Sequence, residues 1–238
     1  MDSGENSPAA PSSDRIAAPR SYLSLPDRPD DTAARYERCL TELIDLLGAV
    51  RPALLSDSGG ARFDGQHEAR RVIAEAVRST PVRQEWFEPL VRAAVYDPDP
   101  SFNRQLVEAA VAAFGRRRVQ VRLIEYLATG TDPQRAGAAR AWYWTLVPLT
   151  YLRGSRTPTP QSQAEYDEYA DLRRQWRDTA LRVFLTTEDL DVRRCILPGL
   201  DLNAEHYPQE LRATVTQAVH LARTHPDEYL RHRVEHQV

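Results

Sequence analysis

From Thr32 onward, apolar residues recur every three to four positions, the spacing that places them along one face of an α-helix. In the first such stretch, Tyr36, Leu40, Leu43 and Leu47 form a single stripe. Valine and isoleucine fall within these stripes and do not alternate with polar residues, so the pattern predicts no pair of strands. Further stripes occupy residues 72–77, 87–95, 102–114, 166–184 and 211–222. The pattern therefore predicts an all-α protein.

Helix-capping residues followed by proline mark several boundaries between these stripes. Aspartate before proline is the order that suits an N-cap and the first helical position. These boundaries recur about 33 to 36 residues apart, except for one interval of about 57 residues that contains the polar, proline-rich segment 151–163. The spacing predicts five helix pairs with a loop insertion at 151–163. The turn and capping residues are Asp99 with Pro100, Asp132 with Pro133, and Asp189.

The same signals give approximate helix bounds. We expect the first helices of the five pairs at 32–50, 81–96, 118–129, 164–186 and 208–223. We expect the second helices at 66–78, 100–114, 133–147, 190–198 and 226–236. Residues 1–31 are rich in proline and serine and have little apolar periodicity, which predicts a disordered tail before a helical domain at 32–238.

Residues 87–115, FEPLVRAAVYDPDPSFNRQLVEAAVAAFG, resemble a repeat of the HEAT family. The turn Asp-Pro-Asp-Pro and the alanine-rich second helix that ends in glycine carry the resemblance. The family usually has valine and arginine where this chain has Phe102 and Asn103, whereas DLDVRRCILPGL retains them as Val192 and Arg193. The segment TDPQRAGAARA keeps the turn and the small residues. The resemblance covers about residues 64–236 and implies a right-handed α-solenoid of about five antiparallel helix pairs.

In such solenoids the second helices generally line the concave face, so the resemblance implies that arginines early in those helices have one of two roles. In the first role, each arginine binds the turn aspartate of an adjacent repeat, as arginines at this position in the family commonly do, and the pairs form a structural ladder. Arg104 and Arg193 are its expected members. Alternatively, they form a patch for an acidic partner or a phosphate, with Arg140 and Arg194 the expected members.

The segment RAWYWTLVPLTYLRG, residues 140–154, places three aromatic residues in succession, and on a helix these cannot all face one core. Exposed tryptophan, tyrosine and arginine dominate binding hot spots. The alternative is that the loop 151–163 and the helix after it cover them. The predicted partner-binding residues are Arg104, Arg140, Trp142, Trp144, Arg193 and Arg194.

Composition limits the classes of partner. The formal net charge is −3, although all 31 basic residues are arginine, and this balance disfavours a dedicated nucleic-acid binder. No apolar run is long enough to span a bilayer, so no membrane association is predicted. Two widely separated cysteines, Cys39 and Cys195, do not form a disulfide framework and indicate a reducing, cytoplasmic setting.

No motif in the sequence supports catalysis or a cofactor. HRVEH, residues 232–236, matches a zinc-protease helix motif, but a third ligand from downstream is missing. Asp97 and Asp99 lack the series of oxygen ligands of a calcium loop. Three arginines in GRRRVQVR, residues 115–122, start a helix where its dipole disfavours cations, and they mark either an anion site or a solvated turn.

We therefore predict no metal, no cofactor and no catalytic residue. The predicted function is a non-catalytic interaction or scaffold module that binds a protein or peptide partner. Two alternatives stay open. One is a HEAT-like DNA-alkylation-repair glycosylase or DNA-binding protein, because that family combines this architecture with tryptophans around a lesion. The other is an accessory lyase-type subunit that acts on another protein.

Overall fold

In a computed structural model, the structure describes residues 31–52 and 60–237. The predicted tail at 1–31 lies outside these residues, except for Asp31, the first residue of α1. Eleven α-helices occupy the described residues: α1 Asp31–Leu47, α2 Gly60–Ser79, α3 Phe87–Tyr96, α4 Arg104–Phe114, α5 Arg116–Thr129, α6 Asp132–Trp142, α7 Pro160–Asp167, α8 Ala170–Thr186, α9 Leu190–Ile196, α10 Gln209–Thr224 and α11 Glu228–Glu235.

The all-α class predicted from the hydrophobic pattern is confirmed. Within the described ranges, the only β-type pairing is an isolated bridge between Tyr151 and Pro158. Short 3₁₀ turns follow α6 at Tyr143–Thr145 and α9 at Leu197–Gly199. In the described parts of the chain, no helix is long and apolar enough to cross a membrane.

The helices begin and end where short-range chemistry satisfies their free backbone groups. Asp189 is the N-cap of α9 and accepts a hydrogen bond from the Val192 N–H at 2.8 Å. At α6 the N-cap is Thr131, and Gln134 Oε1 accepts from the Thr131 N–H, so Asp132 is the first helical residue and not the cap as predicted. Gly115 ends α4 with φ of 84°, a conformation that other residues rarely adopt.

Alternate helices pack side by side in two sets. In the first set, α1 contacts α3, α3 contacts α5, α5 contacts α8, and α8 contacts α10. In the second set, α2 contacts α4, α6 contacts α9, and α9 contacts α11. Each helix of the first set also packs on the helix of the second set that follows it, as α5 does on α6. Their apolar stripes meet in one hydrophobic cluster that extends from Tyr36 to Val234.

The packing changes at α4 and α6. α6 lies against α3, where a Cβ atom on Gly137 would come within 1.8 Å of the Val95 carbonyl oxygen. α4 contacts the 3₁₀ turn Tyr143–Thr145 that follows α6. The close approach at Gly137 fixes α6 on α3 and brings the aromatic turn over α4.

Several predicted bounds need correction. α2 begins at Gly60 and not at 66, and α3 begins at Phe87 and not at 81. The second helix expected at 133–147 ends at Trp142, where the 3₁₀ turn Tyr143–Thr145 follows it and the backbone becomes extended at Leu146. Pro148 then disfavours the helical conformation at Val147. The second helix expected from Pro100 begins at Arg104. The helix expected at 164–186 is two helices: α7 starts inside the expected loop, at a Thr159 cap that accepts from the Ser162 N–H, and ends before α8 begins.

Candidate functional site

Most of the arginines that the sequence singled out have partners within the fold. Three of them bind a carboxylate at the turn or first turn of the next helix in the second set. The pairs are Arg70 with Asp97, Arg140 with Asp191, and Arg194 with Asp227. These residues form an arginine–aspartate ladder along the second set of helices.

The first ladder pair is fully buried. Arg70 donates two hydrogen bonds of 2.6 Å to Asp97, and the side chains are 1% and 0% exposed. The Tyr36 hydroxyl donates to the same carboxylate at 2.8 Å. Burial, together with the Asp97 charge, raises the pKa of Tyr36 well above its ordinary value. Arg70 Nη1 is buried without an acceptor among the described residues, so the hydrogen bonds of the guanidinium go to Asp97.

The segment YDPDPSFNR, residues 96–104, therefore braces an arginine. Asp97 accepts from Arg70 and from the Asp99 N–H, while Asp99 accepts from the Ser101 and Phe102 N–H groups. Asp99 thus caps a turn that precedes α4, and Pro100 lies in that turn and not at the first position of α4. Both carboxylates are occupied by protein donors.

The two arginines expected in the ladder from the family pattern lie outside it. Arg104 binds Glu108 of its own helix at 2.7 Å, and its guanidinium lies 5.3 Å from the Trp144 ring centre. Arg193 contacts the Phe184 carbonyl and the His225 ring. Asp132, where a ladder partner of Arg104 would lie, is 3.4 Å from Arg135 of its own helix. The ladder is therefore interrupted between α4 and α6, where Tyr143–Thr145 packs on α4.

An aromatic cleft opens beside this interruption, with a volume of about 450 Å³. It lies between the end of α6, the end of α9 and α11. Four of the six predicted binding residues line it, although two of them are ladder arginines. The lining residues include Arg140, Trp142, Tyr143, Trp144, Leu146, Trp176, Arg194, Cys195, Ile196, Tyr229 and Arg233.

The three consecutive aromatic residues have different environments. Trp142 is 6% exposed and stacks on Trp176 with ring centres 4.2 Å apart and planes at 2°. Trp144 is half-buried, and its Nε1 donates to the Pro100 carbonyl at 2.9 Å. Tyr143 is 65% exposed and meets the Trp144 ring edge to face. The expectation that this segment cannot bury all its rings holds for Tyr143, and the loop 151–163 leaves it uncovered.

Two further clefts share walls with the aromatic cleft. The α4 cleft, about 640 Å³, is lined by Arg104, Val111, Arg116, Tyr143, Trp144, Leu146 and Pro148, among others. The arginine cleft, about 390 Å³, is lined by Trp142, Leu146, Tyr166, Arg173, Arg174, Trp176, Arg177 and Asp201, among others. Leu146 lines all three clefts, and the stacked pair Trp142–Trp176 stands between the aromatic and arginine clefts. We call the three together the groove.

The arginine triplet at the start of α5 does not form an anion site. Arg116 donates to the Thr145 carbonyl, Arg117 binds Asp171, and Arg118 lies 3.9 Å from the Phe87 ring centre. Each arginine ties α5 to a different neighbour. The Arg116 contact holds the 3₁₀ turn that carries Tyr143, and Arg116 itself lines the α4 cleft.

The described residues contain no group of three or more His, Cys, Asp or Glu side chains placed to hold a metal. His232 and His236 lie with ring centres 4.2 Å apart, and His236 Nδ1 contacts the His232 carbonyl. Cys195 faces the aromatic cleft, but burial, partly offset by Arg140, raises the pKa of its thiol to about 11. The thiol is therefore protonated at neutral pH and a poor nucleophile.

Many groove residues were not among the predicted site residues, and Trp176, Arg174, Tyr229 and Arg233 are examples. Trp176 belongs to the apolar stripe of α8, which indicates core and not a cleft wall. Tyr229 and Arg233 are four residues apart on the last helix, a spacing that places them on one face. That i, i+4 spacing is the one signal that could have marked them.

Comparisons with protein-family models, with curated proteins and with solved structures find no match to this chain.

Proposed function

We propose that this chain is a non-catalytic interaction module that binds a protein or peptide segment in the groove. The observation that carries the proposal is the junction of three clefts around Leu146, beside a tyrosine that is 65% exposed. Exposed tyrosine and half-buried tryptophan next to arginine are the residues that contribute most at protein interfaces. The α4 cleft and the aromatic cleft have volumes of several hundred Å³ and mostly apolar walls, which suit the side chains of a bound segment.

The scaffold of this module is, in our proposal, a HEAT-like α-solenoid. Two observations support it: alternate helices pack in two sets, and arginines of one second-set helix bind aspartates at the next. In a solenoid each helix pair buries its apolar face only against its neighbours, so side-by-side packing is what the architecture requires. The interruption at Arg104 would then place the groove where two repeats separate.

The chemistry of the aromatic cleft favours binding over catalysis. Among the described residues that line the aromatic cleft, the charged side chains are arginines, and none is a carboxylate or a histidine. A general base needs a pKa near the working pH, and arginine does not provide one. The Cys195 thiol, with a pKa of about 11, provides neither a base nor a nucleophile.

A peptide library displayed on phage tests this proposal. Selection on the full chain should enrich peptides that bind the wild-type protein and lose at least tenfold in affinity with Tyr143→Ala or Trp144→Ala. Val82→Ala is the matched control, because Val82 is an exposed apolar residue between α2 and α3 and does not line any of the three clefts. Enriched peptides that bind all variants equally would place binding elsewhere, and a failure to enrich any peptide would contradict the proposal.

A further inference from the structure

The groove concentrates positive charge on a chain whose net charge is −3. The aromatic cleft contains three arginines, Arg140, Arg194 and Arg233, without a carboxylate in its lining. The arginine cleft contains three more, on α8, against one aspartate. Complementary potentials select partners and orient them, so this charge distribution is informative about what binds.

Part of this charge is neutralised within the fold and part is not. Arg194 binds Asp227, and Arg140 lies 3.5 Å from Asp191. By contrast, Arg174 is exposed and forms no salt bridge or hydrogen bond within the described ranges. Arg233 forms no salt bridge to a described residue either, and its Nε is buried without an acceptor. These two arginines can receive carboxylates from a partner.

The two arginines lie on opposite sides of the stacked pair Trp142–Trp176. Arg174 lines the arginine cleft, and Arg233 lines the aromatic cleft. The aromatic cleft has mostly apolar walls, and Leu146 is common to both clefts. The geometry points to a linear segment that carries a bulky apolar side chain in its middle and acidic residues on both sides.

We infer, on the basis of the proposed function, that the partner of the groove is an acidic peptide segment with an aromatic or large aliphatic anchor. The anchor enters the aromatic cleft beside Trp144, Ile196 and Tyr229, and its flanking carboxylates pair with Arg174 and Arg233. Arginine binds carboxylates through two parallel hydrogen bonds, which fixes the direction of the segment as well as its charge.

A single-stranded nucleic acid would also bring negative charge, but it binds through base stacking on open aromatic faces. In the groove, Trp142 and Trp176 cover each other and are 6% and 3% exposed. One face of Trp144 is occupied by Arg104. These contacts leave Tyr143 as the main exposed ring, and the groove is therefore better suited to a side-chain anchor than to a row of bases.

Fluorescence anisotropy with four labelled probes tests the inference on the full chain. The probes are the acidic anchored peptide EEDWLDEE, its charge-reversed form KKKWLKKK, the anchorless form EEDSGDEE and a dodecamer of thymidine. We expect EEDWLDEE to bind at least tenfold tighter than each of the other three. Arg174→Glu and Arg233→Glu should each weaken it at least fivefold, and Arg71→Glu should not, because Arg71 lies on α2 outside the groove and pairs with Glu68.

Equal or tighter binding of KKKWLKKK or of the thymidine dodecamer would overturn the inference. So would unchanged affinity in Arg174→Glu. Because Arg174 is exposed, we expect circular dichroism to show an intact fold in this variant. The phage selection separates this failure from failure of the proposed function. If the selected peptides depend on the groove but show no acidic bias, the proposed binding function holds and only the inference of an acidic partner fails.

Discussion

Replacing Asp97 with alanine should remove a large part of the free energy of unfolding of this protein. Asp97→Ala leaves the Arg70 guanidinium 1% exposed without its anion, and leaves the Tyr36 hydroxyl without its acceptor. Breaking a buried ion pair from one side costs about 3–5 kcal/mol. Since domains are stable by about 5–15 kcal/mol, this loss is a large share of the total.

The magnitude can be expressed as a melting temperature. At about 2–4 °C per kcal/mol for a chain of this size, the loss lowers Tm by about 6–20 °C. The double variant Arg70→Met with Asp97→Ala removes the buried arginine charge that Asp97→Ala leaves without a partner. It should therefore recover part of the lost stability. The free energy of unfolding of the double variant should therefore exceed that of Asp97→Ala alone, because an apolar pair is tolerated where half an ion pair is not.

Urea denaturation followed by far-ultraviolet circular dichroism and by tryptophan fluorescence measures these differences. Arg71→Met is the matched control, because Arg71 is the next residue on α2, is 63% exposed and pairs with Glu68. An exposed pair of this kind contributes about 0–1 kcal/mol. Two results would show that the buried pair does not stabilise the fold. One is a loss of unfolding free energy in Asp97→Ala no larger than in Arg71→Met. The other is a loss in the double variant equal to the sum of the losses in Arg70→Met and in Asp97→Ala.

The remaining predictions concern the packing around the groove and one histidine. Trp142→Ala removes a stacked, buried ring and should lower the free energy of unfolding by about 3–5 kcal/mol, whereas Trp144→Ala should lower it by less than about 2 kcal/mol. Similar losses for the two variants in urea titrations would contradict the assignment of Trp142 to the core and Trp144 to the cleft wall. Gly137→Ala places a methyl group against the Val95 carbonyl and should cost at least about 2 kcal/mol, while Gly199→Ala, with open space around its Cβ position, should stay within about 0.5 kcal/mol in thermal melts. Burial and the Arg193 charge lower the pKa of His225, so on acidification the unfolded state binds a proton before the folded state does. The stability that neutral His225 contributes should be fully present above about pH 6.5 and should fall as the pH drops below that value. The loss of unfolding free energy between about pH 7.5 and 5.0 should therefore be smaller in His225→Gln.

The helices were predictable because their signal is local. The stripe from Tyr36 to Leu47 and the Asp189 cap each lie within a few residues, where periodicity and capping chemistry operate. The end of α6 was misplaced because the apolar pattern continues through Leu146, while the backbone changes to a 3₁₀ turn at Tyr143 and is extended at Leu146. The α7 helix was missed because its residues are polar and its Thr159 cap lies in a segment that composition marks as a loop.

The site was less predictable because its geometry depends on contacts between distant residues. Trp142 and Trp144 were singled out together, yet one stacks in the core and the other lines the clefts, and only the position of Trp176 on α8 decides between them. The ladder was expected at Arg104 and Arg193, but the carboxylates lie within reach of Arg70 and Arg194. Which arginine pairs depends on how neighbouring helices of the second set pack, and those contacts join residues about 30 or more positions apart.

Hydrogen exchange of the full chain, with and without a peptide selected on it, tests the central claim most directly. We expect slower exchange on binding at residues 142–148, at 194–199 and at the start of α11, because these segments form the walls of the groove. Backbone amides of α2 should exchange at the same rate in both samples. Protection confined to α2 or to other segments outside the groove would contradict the claim that the groove is the binding surface.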